Sequence, residues 1–289
     1  MRKNPSENGA IALNAVFCSD LQAQFGQFSQ PKLSMSSLNY TLSGQGSPVI
    51  LIHGLFGNLD NLKTLGNALD DHQVIRIDVP NHGLSPHWPN MDYAMLADAV
   101  IELMDELALD SAHLVGHSMG GKIAMATALL YGDRVKSLVA ADIAPVAYQP
   151  RHQKVFAGLG NLDLSALTNR ADAHKQLLGA GIDEGTAMFL LKNLTKDEQG
   201  FAWKMNLAGL KSSYEHLIGW PLADKQYTGP SLCIRGADSD YVTTAHRGAF
   251  VSQFPKIQAK SLAGTGHWLH AQKPAIFNRI VAEFIAQND

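Results

Sequence analysis

The pentapeptide Gly116-His117-Ser118-Met119-Gly120 separates an apolar, strand-like run, His113-Leu114-Val115, from the helix-prone residues Ile123 to Leu130. A Gly-x-Ser-x-Gly at a strand-to-helix junction makes a turn so tight that the serine takes a strained backbone and its hydroxyl stands clear of the sheet. Gly116 and Gly120 supply the room, because a Cβ at either position would meet the crossing strand or helix. The chemistry open to this arrangement is nucleophilic attack by Ser118 Oγ. A serine hydroxyl attacks only when a base takes its proton, and histidine is the side chain suited to that near neutral pH. Of the 12 histidines, His267 is the candidate base. It lies in the Gly-flanked loop Gly264-Thr265-Gly266-His267, between a late strand and the last helix, and it follows the serine in the chain. His270, beside Trp268 and Leu269, reads as a structural neighbour, and His53, His82 and His117 as loop-fixing residues. A carboxylate must hold the imidazole. Two strand ends offer one, Asp142 at the first and Asp238 or Asp240 at the second, and the residues alone leave the choice open. A developing oxyanion needs N–H donors. Met119, next after the nucleophile, supplies one, and Leu55, after the first buried strand, the other.

These groups meet only if strands deliver them to one edge of a sheet. Pro48 to Ile52, Val74 to Val79, the run before the elbow, Val135 to Asp142, Pro230 to Arg235 and a short stretch from Ala259 to Leu262 all read as strands. Most are short continuous apolar runs, as in sheets buried on both faces. Helices alternate with them. Residues 93–107 place Ala97, Val100, Ile101 and Met104 on one face, and Pro274 opens a closing helix to Ala286. The pattern predicts an α/β fold with a mostly parallel sheet and helices on both faces. From about Ala147 to Tyr227 the rhythm breaks. Weak helical pieces rich in large apolar groups, among them Met188, Phe189, Leu190, Leu191, Phe201, Trp203, Met205, Leu207 and Leu210, show no convincing strand. They read as a helical cap over the cleft, a minority of them lining an acyl pocket. Lys122, just past the elbow, reads as a residue in the first turn of its helix pointing to solvent.

The chain of 289 residues is 46% hydrophobic and 17% charged with a net charge of −3, enough for one large domain with an inserted subdomain. The mild negative charge gives no footprint for nucleic acid. Nothing approaches the ~18 consecutive apolar residues of a membrane span. Two cysteines, Cys18 and Cys233, make no disulfide framework. Cys233 reads as a buried free thiol on a strand, and a reducing cytoplasm fits. Residues 1–34 read as an extension, dispensable or not native, with Met35 as an alternative start. The core is expected at 35–146 and 228–289 and the cap at 147–227.

Five segments in order carry a resemblance: His53-Gly54-Leu55-Phe56-Gly57, Asn81-His82-Gly83-Leu84-Ser85, Gly116 to Lys122, Asp142-Ile143-Ala144-Pro145 and Gly264-x-Gly266-His267-Trp268. Together they resemble the YbfF-type esterases of the α/β-hydrolase superfamily, from about Pro48 to the C-terminus. The resemblance implies a carboxylic-ester or thioester hydrolase with a Ser118-Asp142-His267 triad and a cap inserted after the sixth strand. It also implies no metal or organic cofactor, and a small ester or acyl-CoA substrate with short to medium acyl chains. Under it Asp142 is the acid, and Asp240, then Asp238, are the alternatives. A carbon–carbon bond hydrolase of the same fold is the competing enzyme, and a ligand receptor that does not turn over is the competing non-enzyme. Oligomeric state is left open.

Overall fold

The computed structural model describes residues 38–289. The expectations for residues 1–34, for Met35 as a start and for Cys18 therefore lie outside the described residues.

Seven strands form one sheet: β1 (Tyr40–Ser43), β2 (Pro48–Ile52), β3 (Gln73–Ile77), β4 (Ala112–His117), β5 (Val135–Ala141), β8 (Ser231–Gly236) and β9 (Ile257–Leu262). Their spatial order is β1-β3-β2-β4-β5-β8-β9. β1 runs antiparallel to β3 at one edge and every other pairing is parallel. The central strands are apolar and buried on both faces because helices cover both. On one side Val49, Leu51, Val115, Val139, Leu232 and Ile234 pack against Leu62, Leu65 and Leu69 and against Phe277, Val281, Phe284 and Ile285 of the closing helix, Pro274–Ala286. Each such side chain, fully buried, contributes about 1.5–3 kcal/mol. The helix Tyr93–Glu106 buries Ala97, Val100, Ile101 and Met104, the face its periodicity predicts.

The ladder continues one residue past two strand ends. Ser118 N–H donates to Ala141 O at 2.9 Å, and Asp142 N–H donates to Ile234 O at 2.8 Å. Both residues thereby stand at the C-terminal edge of the sheet, where parallel sheets bind ligands. Ser118 then leaves the strand with φ 54° and ψ −122°. The glycine requirement is steric: a Cβ at Gly116 would lie 2.1 Å from Gly120 O, and one at Gly120 would lie 2.2 Å from Ile52 O.

The segment between β5 and β8 interrupts the sheet after the fifth described strand rather than the sixth, because only β2, β3 and β4 lie between β1 and β5. It contains helices such as Arg170–Gly179, Glu184–Leu191 and Tyr214–Ile218. It also contains a hairpin that the sequence reading leaves out, β6 (Leu194–Asp197) with β7 (Gly200–Trp203). Its turn is made locally: Asp197 Oδ1 accepts the Gln199 N–H at 2.8 Å, and Gly200 takes φ 118°, open mainly to glycine.

Candidate active site

The elbow brings Ser118 to the floor of a cleft, and the loops after β5 and β9 bring Asp142 and His267 to meet it. His267 Nε2 lies 2.9 Å from Ser118 Oγ, and His267 Nδ1 lies 2.8 Å from Asp142 Oδ2. A carboxylate oxygen facing Nδ1 requires the proton there, so Nε2 presents a lone pair to the serine hydroxyl. Asp142 is fully buried, at 0% side-chain exposure, and three donors satisfy it: His267 Nδ1, the Gly236 N–H at 2.9 Å to Oδ1, and the Ser239 hydroxyl to Oδ2. Backbone strain clusters at the same residues. Ser118, Asp142 and Phe56 all take positive φ, at 54°, 51° and 60°, a region that costs non-glycine residues about 1–3 kcal/mol each.

Asp240 is used elsewhere, paired with Arg151 at 3.0 Å and 78% exposed. The backbone N–H of Asp238 donates to Thr265 O. Other histidines surround the site without touching Ser118 Oγ. His117 Nε2 donates to His267 O at 2.8 Å. The His270 ring packs against His117 and Phe277. Burial pushes His270 and His152 down to about 4 and holds His117 well below the usual histidine range. A cation forming at His267 therefore has neutral rings for neighbours.

Leu55 lies between Gly54 and the strained Phe56, and no described residue accepts its N–H. Leu55 and Ser118 together line two adjoining spaces. One is a cavity of about 330 Å³, walled by Phe56, Arg151, Ile182, Phe189, Leu190 and Trp268. The other, about 40 Å³, is lined by Met119, Lys122 and Tyr148. Of the apolar residues singled out in the inserted segment, Phe189 and Leu190 face the larger cavity, whereas Met188 is exposed.

Three residues here escape the sequence reading. Tyr241 stacks on the His267 ring, with centroids 3.7 Å apart and planes inclined by 14°. The Arg151 guanidinium covers Tyr241 at 4.4 Å. Ser239 bonds Asp142. The available signal is that Ser239 lies within, and Tyr241 directly after, the Asp238-to-Asp240 segment already weighed as a source of the acid. Among the described residues, no group of three or more His, Cys, Asp or Glu side chains is placed to hold a metal ion. Nor is any described helix long and apolar enough to cross a membrane.

Lys122 departs from its expected place. It is 1% exposed because its helix, Met119–Leu130, is buried along almost all its length. Its Nζ donates to Ile218 O at 3.1 Å and to Gly219 O at 2.9 Å, within 6 Å of the Tyr93, Tyr148 and Trp220 rings. Burial pushes its pKa down to about 7. The unfolded chain binds this proton up to about pH 10.4, so between those values the unfolded state holds more protons and stability from this group rises with pH. Denaturant unfolding at pH 7 and pH 9 checks it. The stability of the wild type relative to Lys122→Met should rise by about 1–3 kcal/mol over that interval. An unchanged difference would contradict the burial effect.

Residues 47–274 match the family described as the alpha/beta hydrolase fold. Over 256 residues the chain is 38% identical to the esterase YbfF of Escherichia coli (strain K12), covering 88% of this chain and 99% of the relative. The chain belongs to the YbfF-type α/β-hydrolases. This α/β-hydrolase is also 33% identical over 288 residues to an sn-1-specific diacylglycerol lipase of Mus musculus, covering 96% of this chain and 93% of that one. Among solved structures, it is similar to a marine microorganism esterase with a TM-score of 0.83 and 35% identity, covering 86% of this chain and 99% of that chain. This YbfF-type hydrolase thus shares its overall fold with the marine esterase. Its chemistry must be argued from the site itself.

Proposed function

We propose that the protein is a serine esterase that hydrolyses carboxylic esters and acyl thioesters, short to medium acyl chains preferred, through an acyl-enzyme on Ser118. The single observation that carries this reading is the unbroken relay from Ser118 Oγ through His267 to Asp142, with contacts of 2.9 and 2.8 Å. His267 Nε2 takes the hydroxyl proton as Ser118 Oγ attacks the substrate carbonyl. Asp142 holds the tautomer and stabilises the imidazolium. The Leu55 and Met119 N–H groups receive the oxyanion, and each such donor is typically worth about 10²–10³ in rate. The tetrahedral intermediate collapses, the carbonyl–leaving group bond breaks, and His267 returns its proton to the departing alcohol or thiol. Water, deprotonated by His267, then attacks the acyl carbonyl and releases the acid and Ser118.

Residues 147–227 act in this reading as a cap that encloses the acyl group. The cavity of about 330 Å³ lies near the lower end of the ~300–1,000 Å³ typical of small-molecule sites, which supports the shorter chains. Cys233, buried and free, fits a reducing, cytoplasmic setting. Steady-state hydrolysis of p-nitrophenyl esters from acetate to palmitate tests the proposal. The expected result is multiple turnovers with kcat/KM highest between acetate and octanoate. A palmitate optimum would overturn the chain-length preference, and no turnover by folded protein would overturn the esterase.

A further inference from the structure

Two buried histidines stand behind the loop that carries Leu55, and the reaction above uses neither as acid or base. His82 Nδ1 lies 2.9 Å from Pro80 O, and its Nε2 lies 3.0 Å from the Phe56 N–H. A carbonyl only accepts and an amide only donates, so the ring carries its proton on Nδ1 and offers a lone pair to Phe56. His53 repeats the pattern, with Nδ1 2.8 Å from Gly54 O and Nε2 receiving the Val79 N–H at 3.0 Å. The two rings meet edge to face, 5.0 Å between centroids. Burial suits both to this neutral state, pushing His82 down to about 3 and His53 to about 4.

The loop needs such a restraint. Phe56 takes φ 60°, a left-handed conformation that a phenylalanine does not adopt unaided. Its carbonyl is gripped from the inserted segment by Asn193 Nδ2 at 2.6 Å, and its N–H from the β3 side by His82. The N–H that His82 holds belongs to the Leu55–Phe56 peptide unit, which adjoins, across the Leu55 Cα, the Gly54–Leu55 unit that carries the Leu55 N–H, so restraining the first narrows the directions open to the second. Leu55 N–H is left without a protein acceptor among the described residues, and Leu55 lines the same space as Ser118.

We propose that His82 is a positioning residue of the oxyanion hole, whose Nε2 lone pair, by holding the Phe56 N–H, keeps the Leu55 N–H aimed at the developing oxyanion. This inference rests on the reading of Leu55 as an oxyanion donor.

Three variants separate the two ends of the ring. His82→Gln keeps an acceptor where Nε2 stood, His82→Asn keeps a donor near Nδ1 but cannot reach Phe56, and His82→Leu removes both. Each is assayed on p-nitrophenyl acetate and on its thiono analogue. Sulfur is a poorer hydrogen-bond acceptor, so the oxo/thiono ratio of kcat reports on the hole and a general loss of fold does not move it. His82→Leu and His82→Asn should lower kcat on the oxoester by about 10²-fold, with KM within threefold and the oxo/thiono ratio down about tenfold. His82→Gln should stay within about tenfold of wild type on kcat and keep the ratio. A folded His82→Leu with unchanged kcat and ratio, an equal loss on both substrates, or rescue by Asn and not by Gln would each overturn the proposal. If the leucine variant does not fold, the Gln and Asn pair decides.

The wild type gives an independent readout that needs no activity. Nitrogen NMR of the imidazoles at pH 7 should show His82 protonated at Nδ1 and bare at Nε2, and a proton on Nε2 overturns the proposal by itself. A wild type that turns over neither ester overturns the esterase reading instead, and the NMR result still judges the contact.

Discussion

Ser118→Ala is expected to lower kcat/KM on a p-nitrophenyl ester by about 10⁴-fold or more, equivalent to at least ~5.5 kcal/mol of transition-state stabilisation. No other described hydroxyl is placed for the role, since His267 Nε2 has Ser118 Oγ as its partner. The rate that survives should come from binding and from the two N–H donors acting on a water-attacked ester. Stability should change little. Ser118 makes no side-chain cap to its helix, its φ of 54° costs alanine about what it costs serine, and the lost contact is a single hydrogen bond. A thermal melt beside the kinetics therefore separates chemistry from folding. Intact mass after mixing with ester should show an acyl adduct on the wild type and none on the variant. Retention of more than about 1% of activity by the pure variant would move the nucleophile elsewhere.

What the sequence makes legible follows the range of the rule involved. The elbow is a five-residue steric statement, Gly116 and Gly120 around Ser118, with a strand before it and a helix after it, and all of its determinants lie in that window. The buried strands are likewise local, and so is the helical face of Ala97, Val100, Ile101 and Met104. Asp142 could not be chosen from residues alone, because contacts that cross 125 positions link it to His267 and contacts across 97 link it to Ser239. Arg151 over Tyr241 and Tyr241 over His267 are hidden for the same reason. The hairpin Leu194–Asp197 with Gly200–Trp203 is too short for alternation to emerge, and only its Asp197 and Gly200 turn chemistry announces it. Lys122 is different, since the signal was present. The run Ile123 to Leu129 is apolar but for Thr127, whose hydroxyl bonds back to Ile123 O, which marks a helix buried all round, and a lysine in its first turn must then find acceptors inside. It finds them at the C-terminal end of the helix Tyr214–Ile218.

Asp142→Asn is expected to lower kcat by about 10³–10⁴-fold with KM little changed, while Asp240→Ala stays within about threefold of wild type. The two acids occupy opposite environments. Asp142 is buried with three donors converging on it. Asp240 is 78% exposed and makes an ion pair with Arg151 of a kind worth at most about 1 kcal/mol. Asparagine is the sharper probe than alanine for two reasons. It tolerates the φ of 51° at this position, and its amide fills the same space. Once its NH₂ faces His267 Nδ1, the ring must carry its proton on Nε2, where it can no longer accept from Ser118. The wrong tautomer alone costs about 10⁴-fold in the triads where it has been isolated. The buried network is harmed less in the asparagine variant, because Oδ1 can still accept from the Gly236 N–H and the Ser239 hydroxyl oxygen can accept from the new NH₂, so its melting temperature should fall by less than that of Asp142→Ala. The decisive comparison is kcat for Asp142→Asn, Asp240→Ala and the double variant on one ester. If Asp240→Ala alone abolished turnover while Asp142→Asn kept it, the acid would be assigned to the wrong strand end. If the double variant lost less than the product of the single losses, the two acids would act through one network, with Arg151 and Tyr241 linking Asp240 to the ring.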